Sequence, residues 1–228
     1  MSSHSCKICD GPVIPWTNRD LNASCNNSLP LIGTAATYLK CMQCGFLFAP
    51  YFDDWSKQQY LDNIYNEEYI KVDPEYDGTR SRRDANWFIN NIQPKREQRI
   101  LDYGAGNSIF EDELTKHGYY CRSWDPMWNR VAPDNWRCSF DIITSFEVFE
   151  HTPTPLETLL EIQLYLKFDG KLIFSTLVND GVPQDFWYIA PRNGHVCMHS
   201  YNSLNHLFDK AGMTVQHHGN SLHIAQYK

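Results

Sequence analysis

The 228-residue chain predicts an α/β fold: an open, doubly wound, mostly parallel sheet ending in an antiparallel hairpin, preceded by a small cysteine-bearing segment. Three observations carry this. From Arg99 onward, short apolar runs alternate with amphipathic helical stretches, the pattern of strand–helix–strand crossovers. Two extended runs near the end, Thr214–His217 and His223–Tyr227, lie close enough in sequence to pair as a hairpin. Five of the eight cysteines fall before residue 50, four of them as two C-x-x-C pairs. Three parts follow: residues 1–50 as a zinc-ribbon-like segment, 51–94 as a helical connector, and 95–228 as the α/β domain.

In the first part, Cys6-Lys7-Ile8-Cys9 and Cys41-Met42-Gln43-Cys44 each form a knuckle that aims two thiolates at one tetrahedral ion. Gly45 permits the left-handed turn that closes such a knuckle. Four thiolates, Cys6, Cys9, Cys41 and Cys44, complete a closed structural zinc site, which stabilises a segment too small to fold on its own core. The competing reading is two unrelated thiol pairs or a redox C-x-x-C. The 31 residues between the pairs require a looping excursion around Pro15–Pro30. Cys25 and His4 lack partner spacing.

In the connector, Tyr60–Tyr69 is helical and sets Tyr65 and Tyr69 at i, i+4 on one face. Arg80, Arg82 and Arg83 precede a helix over Asp84–Ile92 that Pro94 stops. An arginine here can fork onto a carboxylate. Beyond it, strands are expected at Arg99–Tyr103, Tyr119–Trp124, Asp141–Thr144 and Lys171–Thr176. Helices are expected at Ser108–Lys116, Pro155–Leu166 and Ser203–Ala211, the last stopped by Gly212.

The sharpest local signal is R-I-L-D-Y-G-A-G-N-S-I-F-E-D-E-L, Arg99 to Leu114: a strand, a glycine turn, then a helix. Such a unit brings backbone N–H groups and a helix N-terminus against a ligand, and Gly104 and Gly106 allow close approach. Asp125 follows Asp102 by 23 positions, where a carboxylate takes both hydroxyls of a ribose.

The net charge of −7 and pI near 5.7 argue against a general nucleic-acid or anionic-membrane binder. No apolar run approaches the roughly 20 residues of a membrane span. The start M-S-S-H-S-C-K lacks a signal-peptide core. A cytoplasmic protein is expected, with cysteines serving as ligands or free thiols.

L-D-Y-G-A-G (Leu101–Gly106), S-W-D-P-M (Ser123–Met127), F-D-I-I-T-S-F-E-V-F-E-H (Phe140–His151), L-K-F-D-G-K-L-I-F-S-T (Leu166–Thr176) and H-S-Y-N-S-L-N-H-L-F-D-K-A-G-M (His199–Met213) occur in that order. Together they resemble the motifs of class I S-adenosylmethionine-dependent methyltransferases, over about Lys95 to the C-terminus. Within that family the chain looks most like small-molecule enzymes, many acting on sugars or quinols, with a cysteine-rich N-terminal segment. The resemblance implies a Rossmann-like sheet. It implies that Asp102, Gly104, Ala105 and Gly106 hold the methionine part of S-adenosylmethionine and Asp125 the ribose. Pro126, Met127, Phe146, Glu147 and Val148 then line the adenine and methyl-donating end, with Tyr65 and Tyr69 in a lid. The 14 residues between Asp125 and Phe140 are too few for the helix–strand–helix that the family often places there, so the sheet edge is expected to be cut back. Ser108 replaces a common third glycine, and Phe168-Asp169 a common proline–glycine.

Methyl transfer needs alignment, exclusion of water and, at times, removal of a proton. His195, on a loop expected to overhang the crevice, and His151, at a strand end, are the candidate bases. His199 follows at i+4. His117, His217 and His218 read as surface residues, and Phe186-Trp187-Tyr188 offers flat apolar area to a ring. The expected activity is O-methylation of a small hydroxylated acceptor such as a sugar or nucleotide sugar. The alternatives are an RNA methyltransferase whose zinc segment reads the RNA, and a non-catalytic module that recruits a protein while its pocket is vestigial.

Overall fold

The computed structural model describes residues 4–128 and 133–228. In chain order, β1 (Val13–Asp20), β2 (Ala35–Cys41) and β3 (Leu47–Phe48) precede three helices, α1 (Lys57–Asn63), α2 (Tyr69–Val72) and α3 (Thr79–Asn91). A Ser56–Gln59 capping box starts α1, and the chain leaves it at Ile64. The single helix expected over Tyr60–Tyr69 is thus broken, although the Tyr65 and Tyr69 rings still meet at 5.1 Å. Helix α3 starts five residues before the expected Asp84, because Gly78 takes the left-handed turn (φ 104°) that no other residue adopts cheaply. Two of its arginines are held by acids just upstream, Arg80 on Asp73 and Glu75 and Arg83 on Glu75, while Arg82 faces Glu113.

The second half runs β4 (Arg99–Tyr103), α4 (Ile109–Lys116), β5 (Tyr120–Trp124), β6 (Phe140–Phe146), α5 (Pro155–Tyr165) and β7 (Leu166–Ser175). It closes with β8 (Cys197–Met198), α6 (Tyr201–Lys210), β9 (Met213–His218) and β10 (Leu222–Tyr227). Strand β7 begins directly after α5. Residues 167–170 bulge out between the Phe140–Leu166 and Ile142–Lys171 pairs, leaving Phe168 exposed against Tyr227.

The larger sheet has six strands in the order β5-β4-β6-β7-β10-β9, parallel from β5 to β7 and antiparallel thereafter. Alternate side chains go to opposite faces. Ile100, Ile142 and Ile173 join Phe88 of α3 and Phe110 and Leu114 of α4. Leu101, Ile143, Leu172 and Phe174 join Leu159 and Ile162 of α5 and Leu204, Leu207 and Phe208 of α6. Among the described residues nothing pairs with the outer edge of β5, in keeping with the shortened connection; residues 129–132 of that connection lie outside the described residues.

The smaller sheet, β1-β2-β3-β8, takes its last strand from near the C-terminus. Cys6, Ile8, Phe46 and Phe48 pack in the same core as Phe149, Phe174 and Phe208. The segment expected over residues 1–50 thus supplies β1, β2 and β3 of this sheet, takes β8 from the later chain and shares core with the α/β domain. It is stitched to the α/β domain by hydrogen bonds from Asn179 to the Gly45 carbonyl (3.0 Å) and from the Ser200 hydroxyl to the Cys44 carbonyl.

Candidate active site

Strand β5 lies on one side of β4 and β6 on the other, so the crossovers diverge at the carboxyl end of β4, where open α/β sheets place ligands. A cavity of about 280 Å³ opens there. Asp102, Gly104, Ala105, Gly106, Asp125, Pro126, Met127, Phe146, Glu147, Val148, Tyr65 and Tyr69 all line it, as does His151.

The glycine turn is shaped by necessity. A Cβ on Gly104 would sit 2.4 Å from Val148 Cγ2, and the residue has φ 79°. Gly106 has φ 53°. Ser108, where a third glycine is common, also takes a left-handed conformation (φ 62°), which costs a serine about 1 kcal/mol. Asp125 fastens the turn: its Oδ2 accepts the Gly106 N–H at 2.8 Å and its Oδ1 the Met127 N–H at 2.7 Å.

Charge in the cavity is one-sided. Asp73, Glu75, Asp84, Asp102, Asp125 and Glu147 line it, and Arg80 is its only lysine or arginine among the described residues. Arg80 forks onto Asp73 at 2.8 and 2.7 Å. Burial pushes Asp102 up to about 7, against a 3.0 Å hydrogen bond from the Thr144 hydroxyl, and pushes Asp84 up to about 6. The sequence marks Asp84 only as a helix start and does not single out Asp73. Asp84 stands four residues beyond Arg80, on the same helix face, which is the signal that could have found it.

The histidines separate. His151 lines the cavity; His195, also buried, does not, and packs with its ring centroid 5.0 Å from that of His151. The loop expected to overhang the crevice instead feeds β8, which pairs with β3 and draws His195 beneath the cavity, where its carbonyl accepts the Tyr38 hydroxyl at 2.6 Å. Burial lowers His151 to about 4 and His195 to about 3, so both rings are neutral at neutral pH. His151 Nδ1 lies 3.1 Å from the Gly194 carbonyl and His195 Nδ1 2.8 Å from that of Tyr188. Carbonyls only accept, so each Nδ1 carries the hydrogen and each Nε2 keeps a lone pair. Beside them Glu150 is fully buried, and burial together with the Glu147 charge raises its pKa well above the carboxylate range. The Tyr188 hydroxyl reaches both carboxylates. His199 is a packing residue, buried against Phe46 and Phe149. Of the aromatic triplet, Trp187 is half exposed and none lines the cavity.

Away from the cavity, the sulfurs of Cys6, Cys9, Cys41 and Cys44 lie within 4.8 Å of one another. Backbone N–H groups of Ile8, Gln43 and Cys44 point at Cys6 and Cys41 sulfurs at 3.3–3.4 Å, the geometry of two knuckles. Cys6 is lowered to about 5, chiefly by its contact with Cys44, whose own pKa rises. Cys25 stands apart, 3.9 Å from His195, with its thiol pushed by burial up to about 12.

Residues 77–218 match the family model described as a methyltransferase domain. The ubiquinone biosynthesis O-methyltransferase of Nitrosococcus oceani is 29% identical over 113 residues, 40% of this chain and 48% of that protein. The tRNA U34 carboxymethyltransferase of Citrifermentans bemidjiense is 27% identical over 160 residues, 57% of this chain and 45% of that one. The chain thus spans about half the length of the curated relatives it matches. Two solved structures share the fold. The Burkholderia thailandensis 1,6-didemethyltoxoflavin-N1-methyltransferase, solved with S-adenosylhomocysteine, has a TM-score of 0.51 at 13% identity, covering 75% of this chain and 87% of that one. The CMeT domain of the citrinin polyketide synthase has 0.50 at 13%, covering 75% and 59%. Family match, strand order and glycine turn agree: the chain belongs to the class I S-adenosylmethionine-dependent methyltransferases.

Proposed function

We propose that the protein methylates an oxygen of a small, uncharged, hydroxylated ring, and that its four N-terminal thiolates hold a structural zinc. The charge of the cavity carries this reading. Among the described residues six carboxylates face one arginine, Arg80, which Asp73 and Glu75 already engage. A sulfonium with an ammonium group suits such a cavity, whereas a nucleotide sugar or an RNA phosphate meets like charge. Tyr60, Tyr65, Tyr69 and Tyr76 add flat walls for a ring. Sugars remain compatible; nucleotide sugars are disfavoured. The ubiquinone relative is named for O-methylation and the tRNA relative for an RNA substrate, and the cavity charge supports the first.

When bound, the cofactor supplies an activated methyl group whose sulfur leaves as a neutral thioether. The Asp102 carboxylate and the backbone from Gly104 to Gly106 hold its methionine end. Asp125 takes the ribose hydroxyls, and Met127, Phe146 and Val148 flank the base. Tyr65 and Tyr69 cover the reacting end and keep water out. At the acceptor end, His151 Nε2 presents an unprotonated lone pair, its ring oriented by the Gly194 carbonyl and by the Tyr65 hydroxyl 3.2 Å from Nδ1. His195 buttresses that ring from below.

The test is methyl incorporation from labelled cofactor into quinols, catechols, sugars, nucleotide sugars and RNA. A neutral hydroxylated ring should be the substrate, and His151→Gln should lower its turnover ~10²–10⁴-fold at unchanged cofactor affinity. Salt-sensitive methylation of RNA alone would overturn the proposal.

A further inference from the structure

We propose that Glu150, His151 and His195 form a site for one divalent transition-metal cation beneath the acceptor end of the cavity. This rests on placing the acceptor beside His151, and it assigns the His151 Nε2 lone pair to the ion, which in turn meets the acceptor oxygen.

Three kinds of observation converge. The first is distance: one donor atom from each residue lies within 4.8 Å of the others, and His151 Nε2 is 3.9 Å from Glu150 Oε1. Donors sharing one ion at ~2.1 Å lie roughly 3–4 Å apart, so closure needs side-chain shifts under about 1 Å. The second is what holds the ligands. Both imidazoles spend Nδ1–H on a backbone carbonyl, Gly194 for His151 and Tyr188 for His195. That is how metal-ligating histidines are oriented and kept unprotonated at Nε2. The third is an unmet need. Glu150 has no exposed surface, its Oε2 makes no hydrogen bond within 3.5 Å although the Thr176 hydroxyl stands nearby, and among the described residues no lysine or arginine pairs with it. A second carboxylate, Glu147, shares the Tyr188 hydroxyl with it. Buried carboxylates gathered in this way are stabilised by a cation.

Two imidazoles and a carboxylate favour manganese, iron, cobalt or zinc over magnesium or calcium. Three protein donors leave positions open, and because His151 alone of the three lines the cavity, they open toward the acceptor. With its oxygen on the ion, the acceptor O–H breaks and the proton passes to Glu147, which also lines the cavity. The oxygen electron pair then forms the O–CH₃ bond as the C–S bond breaks and its electrons remain on sulfur.

The probe is Mn²⁺, which competes poorly for thiolates and so leaves the cysteine site alone. Titration of the full chain, followed by electron paramagnetic resonance, should find one Mn²⁺ per chain with ¹⁴N modulation from two imidazoles. His195→Asn, a change outside the cavity wall, should weaken Mn²⁺ at least tenfold and remove one nitrogen coupling while S-adenosylhomocysteine affinity stays within twofold. No stoichiometric Mn²⁺, or bound Mn²⁺ without nitrogen coupling, overturns the site, as does a His195→Asn spectrum identical to the parent's. Nitrogen-coupled Mn²⁺ in a chain that fails to bind S-adenosylhomocysteine would leave the ion site standing and remove the methyl-transfer reading of the cavity.

Discussion

The chain gathers like-charged groups twice, four thiols between the knuckles and six carboxylates around the cavity, and the two gatherings are built differently. The thiols are mostly buried, contact one another, and are fixed by N–H groups of their own turns. Such a site is closed, with four donors and no room for a fifth. The carboxylates are spread over α3, the β4, β5 and β6 ends and the segment before α3, and they face open volume. A cation in the first arrangement would hold chain segments together; the second leaves room for a cationic ligand that comes and goes. Damage to the thiols should therefore register as stability, and damage to the carboxylates as affinity.

The largest effect that would break this contrast is at the knuckles. Cys41→Ser removes one thiolate, and loss of the ion should destabilise the fold by more than about 4 kcal/mol, because loss of a metal is among the most damaging single changes. Elemental analysis should show zinc falling from one per chain toward none, alongside a lower thermal midpoint. Cofactor affinity of the protein that remains folded should be unchanged. A Cys41→Ser chain of normal stability, or a parent chain without metal, would mean that the thiols are only neighbours.

Asp125→Ala should act the other way. The carboxylate joins the Gly104–Gly106 turn to the start of the next segment through Gly106 and Met127 and is the proposed ribose ligand. Loss of charge-assisted bonds predicts a 10- to 100-fold weaker S-adenosylmethionine affinity by calorimetry, with stability reduced by less than about 1.5 kcal/mol. An unchanged dissociation constant would misplace the pocket.

The two sites were not equally legible. Both could be named from short spacings, because a C-x-x-C knuckle and a strand–glycine–helix turn are local objects. Strand periodicity likewise located β4 to the residue and the C-terminal hairpin to within a residue or two. What could not be read was long-range. Nothing in the run around Cys197 announces that it will pair with β3, 150 positions earlier, and that pairing is what moved His195 from the rim to the underside of the cavity. Asp84 reads in the sequence as a helix-start acid, and the earlier start of α3 leaves it one turn inside the helix, on the cavity wall. Glu150, beside His151, is in the sequence one more residue of a family motif, and its complete burial is a property of the fold alone.

The smallest expected effect sharpens the comparison by moving protons instead of atoms. In the ligand-free cavity burial holds Asp102 at about 7 and Asp84 at about 6. A raised carboxyl contributes stability that is fully present below its unfolded value, near 3.9, and is lost as pH rises through the folded value. The ligand-free cavity should therefore loosen between about pH 4 and 7. A cation in the cavity favours the ionised acids and lowers both values, so binding releases protons across that window. Affinity for S-adenosylmethionine should rise a few-fold, up to about tenfold, from pH 5 to 7 and level off above. S-adenosylhomocysteine has the same ammonium but a neutral sulfur and should gain less. Calorimetry in buffers of different ionisation enthalpy reads both the affinity and the protons released. Equal pH profiles for the two ligands would mean that the sulfonium does not feel these carboxylates, and an affinity that falls as pH rises would mean that the cavity takes its cofactor for some reason other than charge.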